Sequence, residues 1–180
     1  MGDFKPPAAL KARLPEEILN GIENHRLVDR TTDHYEPVKD LRRDFSAQRR
    51  RYSGIICDIA FDYFLIKHWR KFDPQPFDEF VLEAYKGLSQ CQPWMPERMQ
   101  RVVQGLVKHD WLSAYATLPG VAHSIDQVSR RLRFENKMAG GIDEVTRLYT
   151  RLEIVFLDLF PALIQSVSDA RLERNVTQKA

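Results

Sequence analysis

The segment from Gly54 to Leu65 constrains the fold of this chain most strongly, because it combines an apolar helical pattern with two aspartates. It reads Gly-Ile-Ile-Cys-Asp-Ile-Ala-Phe-Asp-Tyr-Phe-Leu, with the acids at Asp58 and Asp62. Positions i and i+4 share one face of a helix, so the two carboxylates point in the same direction. Two carboxylates in so apolar a helix are costly to bury unless a cation or a strong hydrogen-bond donor compensates them.

A second column of polar side chains occurs upstream at the same spacing. His25, Asp29 and Asp33 recur every fourth residue and therefore share one face of a predicted helix. Imidazole nitrogen and carboxylate oxygen form a mixed ligand set that suits Mn²⁺, Fe²⁺, Zn²⁺ or Mg²⁺. One divalent ion bound between two helices satisfies both columns. The predicted metal ligands are His25, Asp29, Asp33, Asp58 and Asp62.

A divalent ion with these ligands is suited to the hydrolysis of a phosphate ester. It can polarise a phosphoryl oxygen and lower the pKa of a bound water toward neutrality. The guanidinium of Arg26, next to the first column, is a candidate to neutralise charge that develops on a phosphate. The candidate catalytic residues are Arg26, Asp58 and Asp62.

Each of these residues also has a simple structural interpretation. A single residue such as His25 is typical of a hydrogen-bonded helix position, and Asp29 and Asp33 are typical of a solvated surface. Asp62 is compatible with a structural ion pair. The candidate partners for that ion pair are Arg49 and Arg50. Weaker candidates for site residues are Asp3, His68 and His109, whereas His123 fits the surface or the core.

The apolar periodicity is helical along nearly the whole chain, which predicts an all-α, single-domain helical bundle over residues 1–180. A chain of 180 residues is long enough for one sizeable core. Prolines and the Gly140-Gly141 pair mark the breaks, and the tail 171–180 is predicted to fray. The predicted helices cover about 15–34, from about 37 onward, 51–71, 76–90, 97–108, 111–115, 119–137 and 142–170.

Composition narrows the classes of partner and compartment. With 43% hydrophobic residues, 29% charged residues and a net charge of +2, bulk electrostatics indicate neither a nucleic-acid nor a membrane partner. No apolar run reaches the roughly 18 to 20 residues that span a bilayer. Two thiols, Cys57 and Cys91, without a secretion signal favour a reducing cytoplasm. Cys57 lies in the apolar segment, where burial raises a thiol pKa and disfavours a nucleophile.

One stretch of the chain, residues 39–51, is strongly basic. Such a run is most typical of a solvated helix face. The alternative is a docking surface for an acidic partner or for a phosphate. The basic residues of this run are Lys39, Arg42, Arg43, Arg49, Arg50 and Arg51.

Ordered motifs in the first third of the chain carry a family resemblance. They are Gly2-Asp3-Phe4, then Gly21-Ile22-x-x-His25-Arg26-x-x-Asp29-x-x-Thr32-Asp33, then Arg50-Arg51-Tyr52-x-Gly54-Ile55-x-x-Asp58-x-x-Phe61-Asp62-x-Phe64-Leu65. The match continues through His68-Trp69, Phe80, Trp111, Tyr115, Arg130-Arg131 and Phe160-Pro161. In this order the residues resemble the acyl carrier protein phosphodiesterases over essentially the whole chain.

The resemblance implies an enzyme that hydrolyses the phosphodiester between 4′-phosphopantetheine and a serine of acyl carrier protein. It also implies a divergent, all-helical relative of the HD phosphohydrolases with Mn²⁺ as the expected metal. Carrier proteins of this kind are acidic, which gives the basic run a docking role through Arg42, Arg43, Arg49, Arg50 and Arg51. Two alternatives remain open: a non-catalytic helical protein that binds a carrier protein, and a phosphohydrolase of a small phosphate ester.

Two features depart from the family pattern. Family members typically begin with a further segment that contains Asn-Phe-Leu-Ala-His, whereas this chain starts at Met1. That helix and its histidines are therefore expected to be absent. The family often has a histidine after the second aspartate of Asp-x-x-x-Asp, where this chain has Tyr63. A tyrosine hydroxyl can hydrogen-bond but is a poor replacement for an imidazole ligand.

Overall fold

The structure of the chain is a computed structural model that describes residues 8–132 and 134–172. The described residues form α-helices joined by short turns, and they contain no strand, which confirms the all-α prediction. The helices are α1 (Ala8–Lys11), α2 (Glu16–His34), α3 (Glu36–Arg43), α4 (Ser53–Lys67), α5 (Phe77–Gln90), α6 (Glu97–Lys108), α7 (Trp111–Ala114), α8 (Leu118–Arg131), α9 (Ile142–Arg147) and α10 (Tyr149–Ala170).

Prolines set where three of the long helices begin. Pro15, Pro76 and Pro96 each stand directly before the first residue of α2, α5 and α6, with φ angles of −54°, −57° and −57°. A proline has this φ preset and lacks the N–H that a helix start leaves unpaired. Glu16 and Glu17 then place negative charge at the positive end of the α2 dipole. The predicted bounds of these three helices agree closely with the structure.

The helix predicted over 119–137 ends earlier than its apolar pattern suggested. Arg131 is its last residue, and Leu132 adopts an extended backbone with φ −69° and ψ 128°. The Asn136 side chain donates a hydrogen bond to the Ser129 carbonyl oxygen at 3.0 Å, which holds the returning chain against the end of α8. A local side-chain hydrogen bond of this kind competes with helix continuation.

The segment predicted as one helix over 142–170 is two helices. Leu148, with φ −99° and ψ 12°, separates α9 from α10.

Gly54 does not break its helix, because α4 begins at Ser53 and the glycine lies in the first turn. A Cβ at Gly54 would approach the Arg42 guanidinium to 3.3 Å, so the absent side chain leaves room for α3 beside α4.

The main core surrounds α4. This helix packs against α10 on one side and α8 on another, and α10 also packs against α2 and α3. Ile56, Cys57, Ala60 and Phe64 of α4 are fully buried, which explains the apolar composition of the helix. α4 therefore lies at the centre of the bundle, with Asp58 and Asp62 on its solvent-exposed side.

A second, smaller hydrophobic cluster lies between α5 and α6. Its buried residues are Met95, Met99 and Val103. The Tyr85 hydroxyl of α5 donates to Asp110 Oδ1 at 2.7 Å and accepts from the Leu112 backbone N–H at 3.0 Å. These two hydrogen bonds fix the start of α7 against α5.

No helix in the described part of the chain combines the length and the apolar composition that a membrane crossing requires.

Gly120 is expected to be indispensable for the packing of α8, and Gly87 offers a matched control. A Cβ at Gly120 would overlap the carbonyl oxygen of Ala114, whereas a Cβ at Gly87 meets no atom within 4 Å. We expect Gly120→Ala to lower the free energy of unfolding by about 1–3 kcal/mol through overpacking. Gly87→Ala should raise it by about 0.5–1 kcal/mol through helix propensity. Urea unfolding measures both, and equal stabilities of the two variants would contradict the packing.

Candidate active site

α2, α4 and α10 line an open cavity of about 510 Å³ that contains four solvent-exposed carboxylates. We call it the acidic cavity and define it by Asp29 and Asp33 of α2 and Asp58 and Asp62 of α4. The i, i+4 spacing within each helix presents both aspartates of that helix to the same space. The convergence that the two columns predicted for these four side chains is therefore found.

Apart from Thr32, the rest of the cavity wall is apolar. Most of this wall comes from α10, whose Phe156, Leu159, Phe160 and Leu163 face the aspartates across the cavity. The sequence pattern of α10 predicts only a core stripe, because lining a cavity and filling a core require the same residue types. Acids on one side and hydrocarbon on the other are typical of a pocket that orients a ligand with one charged and one apolar part.

Asp62 is the most perturbed acid of this cavity. Its side chain reaches solvent through the cavity, but protein atoms surround it on the other sides. Desolvation by burial, with a smaller contribution from the nearby Asp58 charge, raises the pKa of Asp62 from 3.8 to about 7. The structure gives Asp62 no hydrogen bond or ion pair with any other residue that it describes. A cation bound nearby would stabilise the charged form of this carboxyl group.

Asp33 is held by an arginine of the neighbouring helix. The Arg42 Nη2 atom of α3 donates to Asp33 Oδ1 at 2.8 Å. The Arg42 side chain is only 24% exposed, and its Nε has no hydrogen-bond partner among the residues that the structure describes. The structure thus places Arg42 at the edge of the acidic cavity, a location that the basic run in the sequence does not reveal.

His25 and Arg26 lie one turn before Asp29 and do not line the cavity. His25 Nδ1 lies 3.5 Å from Asp29 Oδ1. Arg26 Nη1 donates to Glu23 Oε1 at 2.6 Å. The roles assigned to these two residues, a metal ligand and a phosphate contact, therefore remain predictions.

The donor chemistry of the acidic cavity fits a hard divalent cation, since carboxylate oxygens are the ligands that Mn²⁺ and Mg²⁺ prefer. The raised pKa of Asp62 points the same way, because a cation would offset the charge that burial and Asp58 disfavour. Within residues 8–132 and 134–172, however, no three histidine, cysteine, aspartate or glutamate side chains form a ready group for one ion. The ligand set His25, Asp29, Asp33, Asp58 and Asp62 therefore remains a prediction.

The other candidate residues lie elsewhere. His68 Nε2 is 2.6 Å from Glu153 Oε1, in a half-buried pair between α4 and α10. The Tyr63 hydroxyl lies 3.0 Å from that of Tyr149. Burial raises the pKa of the Cys57 thiol to about 12, in agreement with the expectation that it is no nucleophile. Asp3 lies outside the described residues.

The ion pair proposed as the structural alternative for Asp62 does not occur. Arg49 Nη2 donates to the Ala139 carbonyl oxygen at 3.2 Å and lies 3.7 Å from Asp143 Oδ2. The Arg50 guanidinium donates to a backbone carbonyl within its own loop. Arg49 therefore joins its turn to the segment before α9, and Arg50 stabilises its own loop; neither pairs with Asp62.

The raised pKa of Asp62 predicts how stability depends on pH in metal-free protein. The folded chain binds the Asp62 proton more tightly than the unfolded chain does, so the free energy of unfolding should fall as pH rises from about 4 through about 7. Asp62→Asn removes this titration and should flatten the decline. Melting temperatures in EDTA from pH 4 to pH 8 measure this decline in stability. Glu83→Gln, on the exposed side of α5, should keep the parental slope, and a parental slope in Asp62→Asn would contradict the assignment.

Comparison with known proteins places the chain in a family. The family described as acyl carrier protein phosphodiesterase matches residues 1–163. The acyl carrier protein phosphodiesterase of Yersinia pestis is 32% identical over 159 residues, which are 88% of this chain and 82% of the relative. That of Pectobacterium atrosepticum is 31% identical over 158 residues, 87% of this chain and 82% of the relative.

A further relative of the same name comes from Klebsiella pneumoniae and is 32% identical over 160 residues, 88% of this chain and 82% of the relative. No solved structure matches the chain significantly, so the resemblance to HD phosphohydrolases remains a prediction. The family match covers nearly the whole described part of the chain, including all four aspartates of the acidic cavity. The chain belongs to the acyl carrier protein phosphodiesterase family.

Proposed function

We propose that this protein hydrolyses holo acyl carrier protein to apo acyl carrier protein and 4′-phosphopantetheine, at the acidic cavity and with a divalent cation, Mn²⁺ in the first instance. The observation that carries the proposal is the meeting of Asp29, Asp33, Asp58 and Asp62 in one cavity of a family member. The family name supplies the substrate, and the carboxylates supply the chemistry that phosphodiester hydrolysis requires.

The four aspartates have distinct parts in this proposal. Asp58 and Asp62, on the central helix α4, would hold the cation, and Asp29 and Asp33 would complete its ligands from α2, with His25 behind Asp29. A bound divalent cation supplies Lewis-acid polarisation of the phosphoryl group and a water of lowered pKa. Its charge would also lower the pKa of Asp62, which explains how so desolvated an acid becomes a ligand.

The protein's own groups do the remaining work. Arg42 is a positioning residue, because its hydrogen bond to Asp33 fixes the direction of that carboxylate. The apolar α10 wall limits water around the reacting phosphate, which strengthens electrostatic interactions there. Arg26 remains the predicted contact for charge that develops on the phosphate.

The proposal predicts metal-dependent release of the prosthetic group. Holo carrier protein incubated with the protein and Mn²⁺ should lose the mass of 4′-phosphopantetheine, as seen by mass spectrometry, and EDTA should abolish the reaction. Asp58→Asn and Asp62→Asn should lower kcat by at least about 100-fold, because each removes charge from the reacting centre. Circular dichroism should show the helicity of both variants to be unchanged.

Asp169→Asn, at the exposed end of α10, is the matched control and should keep full activity. Metal binding is followed separately, by the Mn²⁺-induced rise in melting temperature. Bound Mn²⁺ without any change in carrier-protein mass would contradict the proposal and favour a non-catalytic binding protein. Hydrolysis of a small phosphate ester with no action on holo carrier protein would favour the phosphohydrolase alternative.

We also propose that the exposed part of the basic run guides the acidic carrier protein toward the cavity. Arg43 is 72% exposed, and Arg51 is an exposed side chain that lies over the Phe134 ring at 5.3 Å. Arg42 and Arg49 are only 24% and 17% exposed, since they serve internal contacts. Arg50 is also exposed. Of the five arginines predicted to dock a carrier protein, Arg43, Arg50 and Arg51 are thus the better placed.

We also propose a cytoplasmic location, with which a carrier-protein substrate and two free thiols are consistent.

Docking through exposed arginines predicts a salt-dependent effect on KM. Arg43→Ala combined with Arg51→Ala should raise KM for holo carrier protein roughly fivefold at low ionic strength, with kcat unchanged, because exposed ion pairs are individually weak. The effect should disappear near 1 M salt. Arg98→Ala, an exposed arginine of α6, is the control and should leave KM unchanged. A salt-independent KM in the parent protein would contradict the docking role.

A further inference from the structure

A second cavity, of about 390 Å³, lies between α7 and α8. We call it the aromatic cavity. Its volume lies within the range of about 300–1,000 Å³ that small-molecule sites occupy. It combines apolar surface with hydroxyl, amide and guanidinium groups, as ligand pockets do. The lining residues that matter below are Trp111, Tyr115, Ser124, Gln127, Val128 and Arg131.

The charge in the aromatic cavity is opposite to that in the acidic cavity. No aspartate or glutamate is among its lining residues in the described part of the chain, whereas Arg131 contributes a guanidinium and His109 and His123 contribute imidazoles. The Arg131 guanidinium lies over the Trp111 ring, 5.1 Å from its centroid. This cation–π contact holds a positive charge beside an aromatic wall.

Tyr115 is the residue of the aromatic cavity that lies within electrostatic range of the acidic cavity. This half-buried residue lines the aromatic cavity, and the charges of Asp62 and Arg131 both act on its hydroxyl. The helix α8, which forms one wall of the aromatic cavity, packs directly against α4, which carries Asp62.

We propose that the aromatic cavity binds the pantetheine arm of the substrate, with Arg131 at the phosphate end of the arm and Trp111 and Val128 against its apolar part. This assignment rests on the proposed function, since it names the part of that substrate which leaves the acidic cavity. The arm follows the phosphate directly, so it must extend from the reacting centre into adjacent space.

The chemistry of the arm matches the cavity group by group. Pantetheine is an uncharged chain that carries a dimethyl-substituted carbon near the phosphate, then two amides and a terminal thiol. Aromatic and valine surface suits the dimethyl carbon, and the Gln127 amide and Ser124 hydroxyl can donate to and accept from the two amides. The phosphate is anionic, and Arg131 is a cationic donor in the lining of the aromatic cavity.

The test measures binding directly, by calorimetry on the full chain with 4′-phosphopantetheine and with pantetheine, which lacks the phosphate. Trp111→Ala should weaken both ligands at least about fivefold, because both place their apolar part on this ring. Arg131→Gln should weaken 4′-phosphopantetheine about tenfold and pantetheine little, since it removes the phosphate contact. Arg130→Gln, the exposed neighbour outside the cavity, should leave both affinities unchanged.

The inference and the proposed function fail in different experiments. The inference is overturned if both Trp111→Ala and Arg131→Gln leave the affinities unchanged. It is also overturned if the affinities fall instead in Leu65→Ala of the acidic cavity. Both outcomes count even if holo carrier protein is hydrolysed. Absence of hydrolysis overturns the proposed function whatever the affinities are. Circular dichroism verifies that each variant is folded. If Trp111→Ala does not fold, Gln127→Leu takes its place and should weaken both ligands by loss of an amide hydrogen bond.

Discussion

The burial of α4 is the constraint on which the rest of the structure depends. This helix lies between α10 and α8, and its apolar side chains fill the main core. Two aspartates on such a helix cannot face packed hydrocarbon without a large free-energy cost. The bundle therefore leaves a cavity beside Asp58 and Asp62, and α2 brings two further aspartates to it. One helix thus supplies both the centre of the core and the centre of the site.

Electrostatics favour the acidic cavity as a candidate site rather than a packing defect. Four carboxylates in one space repel each other, and the Arg42 guanidinium offsets this repulsion at Asp33. At Asp62 the charged form is disfavoured most clearly, because desolvation and the Asp58 charge together raise its pKa to about 7. Natural proteins retain such unfavourable groups mainly where they act on a ligand. The family match gives that interpretation a specific substrate class.

Spacing within a helix could be predicted from the sequence, whereas contacts between distant segments could not. Asp29 with Asp33 and Asp58 with Asp62 follow from the i, i+4 rule, and Pro15, Pro76 and Pro96 correctly mark helix starts. The division of the last helix at Leu148 has no comparable signal, because the apolar pattern continues across it. The hydrogen bond between Arg42 and Asp33 likewise depends on how α3 packs against α2.

The Tyr85 hydroxyl ties the aromatic cavity to the smaller hydrophobic cluster. Its two hydrogen bonds, to Asp110 and to the Leu112 N–H, attach α7 to α5, while α8 on the opposite wall is packed into the main core. One wall of this cavity is therefore attached to α5, beside the smaller cluster, and the other belongs to the main core. A relative displacement of the two cores would change the width of the cavity and leave the spacing of the four aspartates intact.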